Sequence, residues 1–187
     1  MFIQTEPTPN PATLKFIPGK TVLGDGTLDF RDKTEAVASP LAQRLFGVDG
    51  VTGVFLGSDF ISVTKSEADE WQHIKPAILG AIMEHYLSGA PVVTDGEVSG
   101  EDAHEHYDPA DEDTVKTIKE LLDTRVRPAV ANDGGDIVFH GFKDGVVFLH
   151  MRGACSGCPS SSATLRSGVE NMLKHYVPEV TRVEAAL

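Results

Sequence analysis

The chain has 187 residues, of which 41% are hydrophobic, enough to bury one or two modest cores. No apolar run reaches the length of a membrane span, and a net charge of −12 argues against the Lys- and Arg-rich surface that nucleic-acid binding requires. The sequence therefore predicts a soluble globular protein with no nucleic-acid partner and no membrane partner. Residues 1–6 have neither signal-peptide nor transit-peptide character, so a cytosolic location is the default expectation. Because Met1 directly precedes the first predicted domain, we expect the bacterial cytoplasm in preference to the mitochondrial matrix.

The first 90 residues carry the signals of a small domain built from strands and helices. Short apolar runs bounded by Gly, Pro and Asp predict strands at residues 13–17, 51–56 and 60–64. The last two runs are close enough to form a hairpin through Gly57-Ser58-Asp59.

Two helices are predicted in the same region. Ser39 followed by Pro40 is a typical helix start, and this helix should run to Phe46. A longer helix is predicted from one apolar face that comprises Trp71, Ile74, Ile78, Ile82 and His85. Pro76 must kink this helix or lie near its start, and Trp71 is most simply a core residue.

An acidic segment divides the chain. Residues from Asp95 to Asp113 include nine acids and no Lys or Arg, and the other residues there give little to build a core. Such a segment is typical of a solvated linker whose charges repel one another. The predicted organisation is a domain at residues 1–90, a flexible linker at 91–112 and a second domain at 113–187.

The second domain has a helical pattern followed by strands. Helical spacing is seen for Val115, Ile118, Leu122, Val126 and Val130, and again for Leu165, Val169, Met172, Leu173 and Tyr176. Between these helices, residues 136–140 and 146–151 predict an antiparallel strand pair, and residues 180–185 a final strand. The fold class is thus α+β in both domains, the second being a three-stranded sheet with two helices.

Cys155 and Cys158 are the only cysteines in the chain, and they form a C-x-x-C pair in the loop between the second strand and the last helix. Such a pair can be a redox dithiol, half of a zinc site or half of an iron–sulfur ligand set. For a metal site, the missing ligands must come from other side chains, a cofactor molecule or a second chain. Pro159 and three serines predict a helix start beside the sulfurs, whose dipole should favour thiolates.

Other motifs are weaker. His104-Glu105-His106 in the acidic segment could bind a divalent metal, although solvated histidines are the simpler interpretation. His140 and His150 lie at predicted strand ends and are interpreted as surface or pairing residues. Residues 133–136, Asp-Gly-Gly-Asp, resemble a catalytic acid pair, but the glycines favour a turn that requires unusual backbone angles.

The second domain resembles the C-terminal domain of the NifU family. The motifs that carry this resemblance are Arg127-Pro128, Asp133-Gly134-Gly135-Asp136, the loop from Gly153 to Ser161, Thr164-Leu165, Gly168-Val169-Glu170 and Val177-Pro178-Glu179-Val180. The first domain is similar to the Nfu N-terminal domain through Thr8-Pro9-Asn10-Pro11, Leu14-Lys15-Phe16, Ser39-Pro40-Leu41-Ala42, Leu45-Phe46, residues 59–65 and Trp71.

The resemblance implies a non-enzymatic carrier of iron–sulfur clusters. In this family a [4Fe-4S] cluster is held between two subunits by both C-x-x-C pairs, so Cys155 and Cys158 would be the ligands in a homodimer, with [2Fe-2S] as the alternative cluster. The implied partners are upstream assembly proteins and apo-protein clients. Two alternatives stay open: a zinc-stabilised interaction module and a thiol–disulfide redox protein.

Overall fold

The computed structural model describes residues 1–94, 105–156 and 159–186. The chain divides into two units, Met1–Gly100 and Glu101–Leu187, and each combines one sheet with helices. The predicted α+β class is therefore confirmed. No helix within the described ranges is both long enough and apolar enough to cross a membrane.

The N-terminal unit is built on a five-stranded antiparallel sheet. Its strands are β1 (Gln4–Pro7), β2 (Thr13–Ile17), β3 (Leu28–Phe30), β4 (Val51–Leu56) and β5 (Ile61–Lys65), in the spatial order β1-β2-β5-β4-β3. The predicted hairpin is confirmed, because β4 and β5 pair from Leu56 opposite Ile61.

Two α-helices and one short 3-10 helix accompany this sheet. They are the 3-10 helix Glu35–Ala38, helix α1 (Pro40–Phe46) and helix α2 (Trp71–Ser88). The predicted start of α1 is confirmed: the Ser39 side chain accepts a hydrogen bond from the Ala42 backbone N–H at 3.1 Å. Helix α2 accommodates Pro76 near its first turn and ends at Gly89, which has a φ of 71°.

The core of this unit lies between the sheet and the helices. Its fully buried members include Phe16, Leu41, Leu45, Leu56, Ile61, Ile78 and Ile82. Trp71 packs against this cluster, as predicted, and its indole N–H donates to the Pro11 carbonyl at 3.0 Å. Burial of this apolar surface is the main stabilising contribution to the unit.

The C-terminal unit has a four-stranded mixed sheet, one strand more than predicted. Its strands are β6 (His106–Tyr107), β7 (Gly135–Lys143), β8 (Val146–Gly153) and β9 (Arg182–Ala185), in that spatial order. Strands β7 and β8 are antiparallel, as predicted, whereas β6 and β9 run parallel to their neighbours. The sequence did not indicate β6 because two residues are too few to show strand alternation.

Strand β6 belongs to the segment that was predicted as linker. Residues 105–112 contribute this strand, the 3-10 helix Pro109–Asp111 and the first residue of the next helix. Residues 95–104 lie outside the described residues, so a flexible linker there stays a prediction.

The helices of the C-terminal unit are α3 (Glu112–Leu121), α4 (Arg127–Asn132) and α5 (Pro159–Tyr176), with a π-helical turn, Leu122–Val126, between α3 and α4. The predicted helical faces point into the core, since Ile118, Leu122 and Leu173 are almost fully buried. Tyr176 differs from the prediction: it is half exposed and lies against the guanidinium of Arg125. The sheet contributes Ile137, Val147 and Leu149 to the same core.

His85 is a buried titratable group in the N-terminal unit. It is fully buried on α2, and neither ring nitrogen has a hydrogen-bond partner. Burial, followed by the nearby positive charge of Arg44, lowers the pKa of His85 below its ordinary value of 6.5, against a smaller opposing effect of the Ala90 backbone. The folded unit therefore binds fewer protons than the unfolded chain when the pH falls below that value, so acidification should destabilise it.

We predict that His85→Leu removes this part of the pH dependence. An unpaired buried polar group costs roughly 1–3 kcal/mol, so the variant should also be more stable at neutral pH by about 1 kcal/mol. Urea unfolding of the full chain, compared between about pH 7.5 and about pH 5.5, measures both effects. His73→Leu, at an exposed position of the same helix, is the control; equal acid sensitivity of the His85 variant and the wild type would contradict the prediction.

Candidate metal centre

The cysteine motif lies at the junction between β8 and α5. Strand β8 ends at Gly153, Cys155 follows in the turn, and α5 begins at Pro159. Cys158 lies outside the described residues, so the distance between the two sulfurs is not defined. The predicted position of the motif, between a strand and a helix start, is confirmed for Cys155.

Two glycines with positive φ shape the backbone around Cys155. Gly134 has a φ of 80° before β7, and Gly153 has a φ of 64° at the end of β8, both in a region that side chains disfavour. The Ala154 N–H donates to the Gly134 carbonyl at 3.2 Å, which joins the two turns. The Ser156 hydroxyl donates to the Gly153 carbonyl at 2.9 Å. Residues 133–136 thus form the predicted turn into a strand.

Gly135 allows the cysteine turn to approach β7 closely. Gly135 pairs with Gly153 across the strands, and a Cβ atom built on Gly135 would lie only 2.7 Å from both the Arg152 carbonyl oxygen and Cys155 Sγ. Real side chains do not tolerate such contacts, so any larger residue would displace the turn. The close approach explains why glycine is needed here in addition to Gly134.

An ion pair between a partly exposed arginine and a buried carboxylate fixes the first residues of β7. The Arg127 guanidinium donates to Asp136 through Nε and Nη2, each at 2.9 Å, in a two-pronged arrangement. Asp136 also accepts from the Ile137 N–H at 2.8 Å and is almost fully buried. Arg127 holds a second, exposed carboxylate, Asp123, at 3.1 Å. The hydrogen bonds that Arg127 donates to Asp136 are the main reason why the pKa of Arg127 lies above its ordinary value.

The pairing of Arg127 with Asp136 was not predicted from the sequence. The two residues lie nine positions apart on different elements, and neither helical nor strand periodicity links them. Both residues stand in motifs of the family resemblance, but membership of two motifs does not show that the residues form a pair.

Cys155 is held as a thiol in this conformation. Its side chain is 7% exposed and belongs to the core of the C-terminal unit. Burial, together with the negative charges of Asp133 and Asp136, raises the pKa of Cys155 to about 12. At Cys155, burial and two carboxylates therefore oppose the thiolate that the start of α5 is expected to favour. Metal binding at this sulfur must release a proton.

The histidines singled out by the sequence lie elsewhere in the C-terminal unit. His106 is exposed on β6, and His140 is on β7 beside it; His104 lies outside the described residues. Among residues 1–94, 105–156 and 159–186, no group of three or more His, Cys, Asp and Glu side chains is arranged to hold a metal ion. A complete metal site therefore requires ligands beyond this described set.

Two family models match the chain. Residues 3–89 match the model described as the N-terminal domain of the scaffold protein Nfu/NifU, and residues 118–184 match the NifU-like domain. The two matches coincide with the two structural units and leave the acidic segment between them.

Three named relatives cover nearly all of this chain. The human protein named NFU1 iron-sulfur cluster scaffold homolog, mitochondrial, is 50% identical over 188 residues, which are 100% of this chain and 72% of that protein. The Drosophila sechellia protein of the same name is 55% identical over 98% of this chain and 64% of its own length. NifU-like protein 5, mitochondrial, from Arabidopsis thaliana is 53% identical over 98% of this chain and 67% of its own length.

The comparisons correct the expected bacterial cytoplasmic location. All three relatives are labelled mitochondrial, which contradicts that expectation. This chain spans only 64% of the length of the Drosophila relative, so the composition of residues 1–6 is no guide to the compartment.

We predict that Gly135→Ala destabilises the C-terminal unit by roughly 1–3 kcal/mol, the cost of forcing an extra methyl group into a packed site. The reason is the 2.7 Å approach of the new Cβ to the Arg152 carbonyl oxygen and Cys155 Sγ. Thermal unfolding measures the loss. Gly168→Ala on α5 is the matched control, because nothing lies within 4 Å of its Cβ position and alanine favours a helix. Equal stability of the two variants would argue against the close contact.

We predict that Asp136→Asn costs about 2–3 kcal/mol. This loss is below the range for a fully buried pair, because the Arg127 guanidinium is partly exposed and regains some water. Asp123→Asn removes the exposed partner of the same arginine and should cost no more than about 0.5 kcal/mol. Chemical unfolding of both variants measures the two losses in the free energy of unfolding. Similar losses would show that the pairing of Arg127 with Asp136 stabilises the fold no more than the exposed pairing with Asp123.

Proposed function

This chain belongs to the Nfu/NifU family of iron–sulfur cluster scaffold proteins, and we propose that it binds a cluster through Cys155 and Cys158 and delivers it to apo-proteins. The observation that carries the proposal is the supply of ligands. The chain contains two cysteines, both in one C-x-x-C motif, within a domain that matches the NifU-like family model. A cluster with four cysteine ligands then requires two chains.

The proposed cargo is a [4Fe-4S] cluster shared by two copies of the chain, with each copy donating its two thiolates. Each thiol loses its proton when its sulfur bonds to iron, and the proton passes to solvent. Release follows by ligand exchange: a thiolate of the client bonds to an iron atom as a carrier thiolate leaves and is protonated. Separation of the two copies removes half of the ligands, which makes the cluster easy to give up.

The residues around Cys155 support its role as a ligand. Gly134, Gly135 and Gly153 bring the backbone of two strands close to the sulfur, and the Arg127–Asp136 pair holds the start of β7 in place. Backbone N–H groups of such a turn can donate to cluster sulfur atoms and disperse negative charge. We infer that this scaffold presents Cys155 from a defined turn.

A thiol–disulfide redox function is less well supported. Redox dithiols depend on a cysteine whose pKa is lowered, so that a thiolate is present at neutral pH. Burial and two carboxylates raise the pKa of Cys155 to about 12, which opposes that chemistry at this sulfur, while Cys158 lies outside the described residues. We infer from the scaffold family that the chain is a carrier without catalytic activity of its own.

The proposal also covers the role of the N-terminal unit and the cellular compartment. The N-terminal unit contains no cysteine, and we infer that it recognises clients or upstream assembly proteins. A flexible linker between the domains would let the cluster turn search for a client while the first domain holds it. The labels of the relatives favour a mitochondrial site of action.

We predict that Cys155→Ser and Cys158→Ser each abolish retention of the cluster while the chain stays folded. The wild-type chain, reconstituted with iron and sulfide without oxygen, should carry about four irons and four sulfides per dimer. Iron, sulfide and zinc analysis of size-fractionated protein, with an absorption spectrum of each peak, is the measurement.

Ser156→Ala is the matched control for this experiment. It changes one of the two residues between the cysteines, removes one hydrogen bond to the Gly153 carbonyl and leaves both thiols in place, so it should retain the cluster. A full cluster in either cysteine variant would falsify the ligand assignment. Zinc without sulfide in the wild type, persisting after reconstitution, would indicate a zinc-stabilised interaction module instead.

A further inference from the structure

Two histidines of the C-terminal unit meet on neighbouring strands, away from the cysteine turn. His106 lies on β6 and His140 on β7, and the centroids of their rings are 5.8 Å apart with an interplanar angle of 73°. They are 34 positions apart in the chain, so the sheet brings them together. Neither the family matches nor the cluster role assigns them a function.

The backbone of β7 is irregular at His140 and lacks a side chain at Gly141, where β6 approaches it. The ladder between β7 and β8 shifts register between Phe139 and Gly141, which places His140 in an irregularity of the strand. Such bulges commonly turn a side chain toward a new direction. Gly141 pairs with His106, and a Cβ on Gly141 would lie 2.7 Å from the His106 carbonyl oxygen, so glycine is needed for β6 to approach.

His140 also has an unmet bonding requirement. Its Nδ1 is buried and has no hydrogen-bond partner. A buried polar atom without a partner is costly, and the lone pair of a neutral imidazole nitrogen is a common metal ligand. The partner ring of His106 is exposed on the edge strand, which leaves a route for an ion from solvent.

We propose that His106 and His140 supply two ligands of a divalent transition-metal site, suited to zinc, on the edge of the C-terminal sheet. Zinc–nitrogen bonds of about 2.0–2.1 Å place two imidazole centroids about 5–5.5 Å apart around a tetrahedral ion. The observed centroid distance of 5.8 Å is close to that separation. The described residues provide no third ligand, so water molecules complete the coordination.

The charges beside the pair are balanced. Glu105, next to His106, accepts from the Lys119 ammonium at 2.6 Å, and Lys119 also lies over the Phe139 ring. The Glu105 carboxylate therefore offsets the positive charge of the Lys119 ammonium, which then repels an incoming cation less strongly. A bound ion would fasten β6, the first strand of this unit, to the rest of the sheet.

This site is separate from the cysteine turn. His140 is five residues along β7 from Gly135, which corresponds to about 16 Å along a strand. Metal binding here would therefore not depend on either thiol, and failure of the cluster proposal would leave this proposal standing.

Zinc titration by calorimetry on the full chain carrying Cys155→Ser and Cys158→Ser tests the proposal without thiolate ligands. We expect one zinc ion per chain and a higher unfolding temperature with zinc, since the ion binds the folded state. Adding His106→Ala or His140→Ala should weaken binding by at least about tenfold, because each removes a direct ligand. His73→Ala, at an exposed position of α2, should bind as the parent does.

His104→Ala separates the strand pair from the local His-Glu-His motif. If zinc binding is lost with His104→Ala but kept with His140→Ala, the site belongs to the motif and the proposal fails. Unchanged binding in His106→Ala, an exposed position where misfolding is not expected, would also overturn it. Absence of zinc binding in the thiol-free parent would overturn it as well. Cobalt is a second probe: ligand-field bands in the spectrum of the cobalt-loaded parent that both histidine variants lose would support the pair.

Discussion

The close contact between the start of β7 and the cysteine turn is the constraint on which the candidate metal centre depends. Gly135 lies against Cys155 Sγ, and this approach is possible only without a side chain. The Arg127–Asp136 pair then fixes the next residue of β7 from α4. Because Asp136 is buried and bound by both prongs of the guanidinium, the position of the turn is tied to the packing of helix against sheet.

The same contact opposes the chemistry that the turn is proposed to perform. Packing Cys155 into the core and beside Asp133 and Asp136 stabilises the thiol, whereas iron requires the thiolate. The proposed cluster binding would have to offset the cost of removing a proton and of rearranging a buried side chain. Such a cost would weaken the hold on a cluster, which suits the proposed carrier better than a permanent electron-transfer centre.

The two units differ in the titratable and candidate metal-ligating groups that they contain. The N-terminal unit is a sheet with helices whose core is aliphatic and aromatic, and its buried His85 is unpartnered and kept neutral by its surroundings. The C-terminal unit holds the cysteine motif at one end of β7 and the His106–His140 pair further along the same strand. Strand β7 therefore adjoins both candidate groups of metal ligands: Gly135 lies against the cysteine turn, and His140 belongs to the histidine pair.

The sequence by itself determined the elements and the chemistry that depend on local pattern. Ser39-Pro40 specifies the start of α1, the spacing of Ile74, Ile78 and Ile82 specifies α2, and the single C-x-x-C motif limits each chain to two thiolates. Only the tertiary structure decided the rest: the two-residue strand β6, the Arg127–Asp136 pair, the meeting of His106 with His140 and the protonated state of Cys155. These features depend on desolvation and on contacts between elements distant in the chain, which residue order and periodicity do not encode locally.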